Sequence, residues 1–236
     1  LLTNRLHGHL LFNFLAKDAK NLQDVLEAGK GYIIPGITAA DHDVEAAVQK
    51  IHQFKKMIDI VSVGLGGNGN IDNWKKALEI AVRSEAGHVN QPFETASFAM
   101  GFIAGQQKES QWVNALVAPS GKVGTVRLAS GKEVNTEWLV EMIKELGIPS
   151  IKLMPVNGLM HLEELIHLTQ VAAKKGIRAI EPAGGISKDN IKEIVNGVKN
   201  TGIELFIPHI FGSTIHPTTK ETIPEEVATI LEKASE

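Results

Sequence analysis

Ser150-Ile151-Lys152-Leu153-Met154-Pro155 sets a lysine in the middle of a short apolar run. Strand side chains alternate between faces, so Ser150, Lys152 and Met154 share one face and Ile151 and Leu153 the other. Branched, apolar Ile151 and Leu153 suit a strand face covered by helices, which turns Lys152 towards the opposite side. After the run come Leu162, Leu165, Ile166 and Leu168 at helical spacing. This is a strand followed by a helix, and the same unit recurs in both directions along the chain.

Upstream, the strand candidates are His9–Leu15, Tyr32–Ile37, Ile58–Val63, His88–Gln91 and Trp112–Ala118. Their helices run from Asp18 to Ala28, from an Asp41 N-cap to about Lys56, from near Asp72, and from Phe93 to Ala104. Downstream lie strands Arg178–Pro182 and Leu205–Phe211, with helices from Ser187 or Asp189 to Lys199 and from Pro224 to Lys233. Eight strands with short connections predict an α/β fold, a single (β/α)₈ TIM barrel over residues 1–236. An open doubly wound sheet is the alternative, but it more usually stops at about five or six strands. The glycine-rich stretch Ser120–Asn135 predicts a hairpin inserted after the fifth strand, on the side where barrel loops build active sites.

Composition narrows the function. The 236 residues carry a net charge of −3, with 43% hydrophobic and 22% charged residues. No basic stripe is present to neutralise a nucleic-acid backbone, so no nucleic-acid partner is expected. Without cysteine the chain has no disulfide, thiolate nucleophile or cysteine-ligated metal. No apolar run approaches the roughly 18 residues of a membrane span. The start, Leu1 to Arg5, leads into an apolar run broken by His7 and His9, so a signal peptide is not expected and a cytoplasmic location is the default.

Lys152 carries the strongest chemical signal. Burial in a barrel lowers the pKa of an amine and supplies the neutral form that attacks a ketone. The same lysine would serve equally as a snorkelling cation that binds a substrate anion. Glu181 shares a face with Ala179 and so points inward on the next strand, as a proton shuttle or as an ion-pair partner for a barrel lysine. Gly184-Gly185 and Gly212-Ser213 end the last two strands, where exposed N–H groups suit a phosphate. His88, Asn90 and Gln91 end the fourth strand and offer polar contacts, and His209 is either a site residue or a satisfied core histidine. Gly64-Leu65-Gly66-Gly67-Asn68-Gly69 matches the dinucleotide fingerprint formally, but its acidic partner would be Glu85 at a helix end. It reads better as an active-site loop. His161, Glu164 and His167 do not share a tight helical face, so no zinc helix is expected. Gly66, Asn90, Gln91, Ser120 and His209 are the candidate substrate-binding positions.

Ile151-Lys152-Leu153-Met154-Pro155 and Glu181-Pro182-Ala183-Gly184-Gly185-Ile186 together resemble the Lys-Phe-Phe-Pro … Pro-Thr-Gly-Gly-Ile pattern of the 2-keto-3-deoxy-6-phosphogluconate aldolases. With Ser62–Gly66, His88–Gln91, Leu116–Gly121 and Ile207–Ile210, the chain is most similar to the branch of that group associated with D-glucosaminate breakdown, some members of which are labelled 4-hydroxy-2-oxoglutarate aldolase. The resemblance implies a class I aldolase without metal or cofactor. Lys152 would form an imine with the keto carbon, and Gly184, Gly185, Gly212 and Ser213 would hold the phosphate of a small sugar-acid substrate. It also implies a homo-oligomer. Two positions depart from the pattern. No early-strand glutamate matches the general base of the better-known aldolases, and Ala183 stands where they carry a threonine. A 4-hydroxy-2-oxoglutarate aldolase, a sugar-phosphate isomerase or epimerase, and a non-catalytic sugar-phosphate sensor are the competing readings.

Overall fold

Strand parity sorts the buried side chains into two cores, one outside the sheet and one inside it. The computed structural model describes residues 4–108 and 110–236. Among them, eight parallel strands form the sheet: β1 (Phe12–Leu15), β2 (Ile33–Thr38), β3 (Val61–Gly64), β4 (Gly87–Pro92), β5 (Trp112–Pro119), β8 (Ser150–Leu153), β9 (Ala179–Pro182) and β10 (Leu205–Phe206). They neighbour one another in that order. Parallel bridges Leu10–Phe206 and Asn13–His209 join the last strand to the first and close the barrel. The last strand was expected to run to Phe211. Pro208 has no N–H to give to a ladder, and the pairing beyond it continues as single bonds, His209 N to Pro182 O and Ile210 N to Asn13 O.

The helices are α1 (Ala19–Ala28), α2 (Val44–Phe54), α3 (Trp74–Ser84), α4 (Phe93–Gly105), α5 (Thr136–Glu145), α6 (Leu162–Lys175), α7 (Ile191–Val198) and α8 (Pro224–Ser235). Asp18, Asp43 and Asn135 each accept a backbone N–H from the first turn and so start α1, α2 and α5. Asp43, not the expected Asp41, caps α2, because the Asp41 carboxylate is taken by the Thr38 hydroxyl. Between β5 and α5, β6 (Thr125–Arg127) and β7 (Glu133–Asn135) pair as an antiparallel hairpin whose first strand continues on the end of β5.

Outward strand residues such as Val63, Val89, Ile151, Leu153 and Ile180 meet helix residues such as Phe54, Leu139, Leu168 and Ile230 in the larger core. Inside the barrel, Leu11, Ile34, Trp112, Ala179, Leu205 and Ile207 form a separate apolar floor at the N-terminal ends of the strands. In the next layer along the strands the interior turns polar on all but β2, with Asn13, Ser62, His88, Asn114, Ser150, Glu181 and His209 all buried. No helix among the described residues is long and apolar enough to cross a membrane.

Candidate active site

Glu181 is wholly buried at the centre of the polar layer. Its carboxylate accepts from His88 Nε2 at 3.1 Å, His209 Nε2 at 2.8 Å, Asn114 Nδ2 at 2.8 Å and the Ser150 hydroxyl. Burial works against the charge on Glu181, but its bonds and charge interactions with His88 and His209 outweigh it and hold the carboxyl well below its ordinary range. An anion gripped by this many donors is a poor proton acceptor. Ser62 accepts from Asn90 at 3.3 Å and lies 2.8 Å from His88 Nδ1, which holds the ring with its Nε2 edge towards Glu181.

Lys152 stands one strand away from Glu181, in register with it. Its Nζ donates to Asn90 Oδ1 at 2.7 Å and to His209 Nδ1 at 3.0 Å. Because Glu181 takes the His209 Nε2–H, the Nδ1 lone pair faces the amine. Lys152, His209 and Glu181 therefore form a continuous chain of hydrogen bonds from the barrel mouth to its polar centre. Burial lowers the pKa of Lys152 to about 8, with the Glu181 charge opposing the shift. Burial, then the Lys152 charge, push His209 down to about 3, against the pull of Glu181. The imidazole is thus neutral while the amine is protonated, and the two share one proton rather than holding one each. Asn90 fixes the amine from the other side: its Nδ2 donates to Val63 O at 3.0 Å, which aims Oδ1 at Lys152 and at Asn114 Nδ2.

A cavity of about 260 Å³ opens above Lys152, lined also by Gly66, Asn90, Leu116, Met154 and Gly212. The Gly64–Gly69 loop forms one wall. At Gly66 φ is +76°, and a Cβ would lie 2.6 Å from that of Ala40, so glycine is required for the loop to fold over the mouth.

Of the residues marked in the sequence, Lys152, Asn90, Gly66 and Gly212 line this cavity, and Glu181 and His209 lie beneath it. Gln91 faces the other way. Its amide donates to Trp74 O at 3.0 Å and accepts from Thr95 at 3.2 Å, outside the sheet. Ser120 is bound into the base of the hairpin, where Glu164 accepts its N–H at 2.8 Å and that of Gly121 at 3.1 Å. His161 supports Glu164 at 2.7 Å. The diglycine abuts the loop after β8: a Cβ on Gly184 would come within 2.8 Å of Pro155, and one on Gly185 within 2.6 Å of Gly158 N. Ser213 donates to Ile186 O at 2.8 Å. Asn114 and Ser62 escaped the sequence reading, although Asn114 shares its face with Leu116 and so pointed inward by parity.

A closed parallel barrel with a polar interior and a buried lysine of lowered pKa beneath a cavity at its C-terminal mouth is the architecture of an enzyme acting on a small molecule. The chain belongs to the KDGP aldolase family, whose model matches residues 6–218. It is 34% identical over 229 residues to the 2-dehydro-3-deoxy-phosphogluconate aldolase of Salmonella typhimurium, covering 93% of this chain and 92% of that one. Among solved structures, N-(5'-phosphoribosyl)anthranilate isomerase from Pyrococcus furiosus matches with a TM-score of 0.60 at 12% identity, over 96% of this chain and 98% of that one. 3-Hexulose-6-phosphate synthase from Salmonella typhimurium matches with a TM-score of 0.60 at 14% identity, over 94% and 97%. At such identities these two likenesses concern the fold alone.

Proposed function

We propose that the enzyme cleaves a 2-keto-3-deoxy sugar acid phosphate, 2-dehydro-3-deoxy-6-phosphogluconate, to pyruvate and glyceraldehyde 3-phosphate through an imine on Lys152. The observation that carries the reading is the contact of Lys152 Nζ with His209 Nδ1 at 3.0 Å, backed by Glu181 at 2.8 Å. The family and the Salmonella relative support the substrate class.

The free amine of Lys152 attacks the keto carbon, C2, and His209 takes the proton that the nitrogen loses and passes it to the alkoxide oxygen, giving the carbinolamine. The imidazolium so formed is stabilised by Glu181 behind it. A second proton, from solvent at the barrel mouth, goes to the carbinolamine hydroxyl, which leaves as water and gives the iminium. His209 accepts the proton of the C4 hydroxyl as the aldehyde carbonyl forms, the C3–C4 bond breaks, and its electron pair moves into the iminium to give an enamine. The His209 imidazolium returns that proton to C3, and water adds to the iminium to release pyruvate and Lys152 with one proton, which passes to solvent. Glu181 thus orients and stabilises, and His209 takes the proton-transfer role for which the sequence offered Glu181. Exposed Phe98 and Phe102 on α4 support assembly of several copies, and a cytoplasmic setting fits a charged phosphate ester that cannot cross a membrane unaided.

Pyruvate and borohydride, followed by peptide mass mapping, test the mechanism: a reduced adduct on Lys152 is the expected result. An adduct on no lysine, with cleavage activity intact, would rule the imine out. The pH profile offers a second check. A pKa lowered from 10.5 to about 8 leaves the neutral amine present above that pH and lost below it. We expect kcat/KM to rise about tenfold per pH unit up to about pH 8 and then level off. A rise continuing to about pH 10 would mean that the nucleophile is an ordinary lysine.

A further inference from the structure

A second lysine is wired to a histidine as Lys152 is. Lys50, half-buried on α2, has its Nζ 3.2 Å from His42 Nε2. His42 Nδ1 lies 3.1 Å from Thr38 O, and a carbonyl only accepts, so Nδ1 carries the ring proton. The Nε2 lone pair therefore faces the amine, as that of His209 Nδ1 faces Lys152. Burial lowers the pKa of Lys50, with the Asp18 and Asp41 carboxylates opposing the shift. An amine of this kind, with a neutral acceptor at its nitrogen, is a nucleophile towards carbonyl carbon.

Lys50 and His42 line a cavity of about 480 Å³ that adjoins the one over Lys152 and shares Thr38, Asp41 and Ile215 with it. Lys17, from the loop after β1, and Lys220, from the loop before α8, line it too. The carboxylate on its wall, Asp41, is bound to the Thr38 hydroxyl. Lys17 reaches Glu221 at 3.4 Å with both side chains well exposed, a pair weak enough to leave Lys17 open to another anion. Ammonium groups gathered in this way favour a ligand of negative charge. The reaction at Lys152 supplies carbonyl compounds that carry one, a keto acid and a phosphorylated aldehyde.

We propose that Lys50 is a second, non-catalytic carbonyl site, at which an anionic keto acid or aldehyde from the barrel mouth is held as an imine. The amine adds to the carbonyl carbon, and the C=O electron pair moves onto the oxygen. His42 Nε2 takes the proton that the nitrogen loses and passes it to that oxygen. A second proton, from solvent, lets the oxygen leave as water. The same geometry explains why no C–C bond breaks there. Behind His209 stands the Glu181 carboxylate, whereas behind His42 stands the Thr38 carbonyl, which has no charge to stabilise an imidazolium. The substrate at Lys152 is a different molecule, and its phosphate stays with the loops after β9 and β10.

The test treats the wild type and Lys152→Met with pyruvate, glyceraldehyde 3-phosphate or uncharged glyceraldehyde, reduces with cyanoborohydride and maps the labelled peptides by mass. With at least one of the two anions, Lys50 is expected to carry at least about fivefold more adduct than exposed Lys30 and Lys132 in both proteins. Each pKa unit of lowering gives about tenfold more free amine, which sets that scale. His42→Gln is expected to lower the Lys50 adduct at least about threefold. Lys220→Ala is expected to lower it for the anions and to spare uncharged glyceraldehyde. Thermal melting confirms that each variant is folded, and exposed Lys220 provides a change that leaves packing alone. Labelling of Lys50 below that margin with both anions overturns the proposal, as does a Lys50 adduct that either variant leaves unchanged. The choice of carbonyl compounds rests on the aldolase reading, whose failure shows separately, as absence of the pyruvate adduct on wild-type Lys152.

Discussion

Lys152→Met is expected to lower kcat/KM by at least about 10⁵-fold, the order found when the nucleophile of a covalent mechanism is removed. Folding should hardly notice. The ammonium is buried and bonded to two neutral groups, Asn90 Oδ1 and His209 Nδ1. Methionine fills much of the same volume without a charge to desolvate. Asn90 Oδ1 keeps the Asn114 amide at 3.0 Å as a donor. Stability is therefore expected within about 1 kcal/mol of wild type, or above it. Steady-state kinetics beside a denaturant melt would show the split. A variant that loses activity together with several kcal/mol of stability would make Lys152 a structural residue first.

Glu181→Gln should fail in both respects. The carboxylate accepts from His88, Asn114, Ser150 and His209 in the barrel interior, and an amide supplies one acceptor oxygen while its NH₂ meets donors. Breaking a buried charged network of this kind costs about 3–5 kcal/mol, which for a chain of this length lowers Tm by about 6–20 °C. The catalytic loss has a separate cause. An amide N–H can donate to His209 Nε2, which moves the ring proton to Nδ1 and turns a donor towards the Lys152 amine. Loss of the correct tautomer in a comparable triad costs about 10⁴-fold, and we expect kcat to fall by about 10³–10⁴-fold. Calorimetry and kcat on the same preparation measure the two effects. A large drop in Tm with kcat retained would confine Glu181 to a structural role.

Parity carried the sequence reading where residues sit on strands. Ile151 and Leu153 face out and Lys152 in, and Glu181 follows from Ala179 by the same rule. Applied to β4, parity also separates inward Asn90 from outward Gln91, a distinction that grouping the two by chemistry concealed. The role of Glu181 was less legible, because a carboxylate reads as a base until its donors are known, and those come from β4, β5, β8 and the chain after β10. The tight packing of Gly184 and Gly185 against segment 155–158 was not legible either, because only the closed barrel brings that segment there.

The apolar floor of Leu11, Ile34, Trp112, Ala179, Leu205 and Ile207 gives the hydrogen-bond chain above it a closed end. A wire with two wet ends would exchange its protons with bulk solvent from either side. This one ends in a dry plug, so a proton that enters from Lys152 returns by the same door. The barrel thereby works as a one-place store: an isotope label loaded from the substrate side would stay with the enzyme for as long as the mouth is covered.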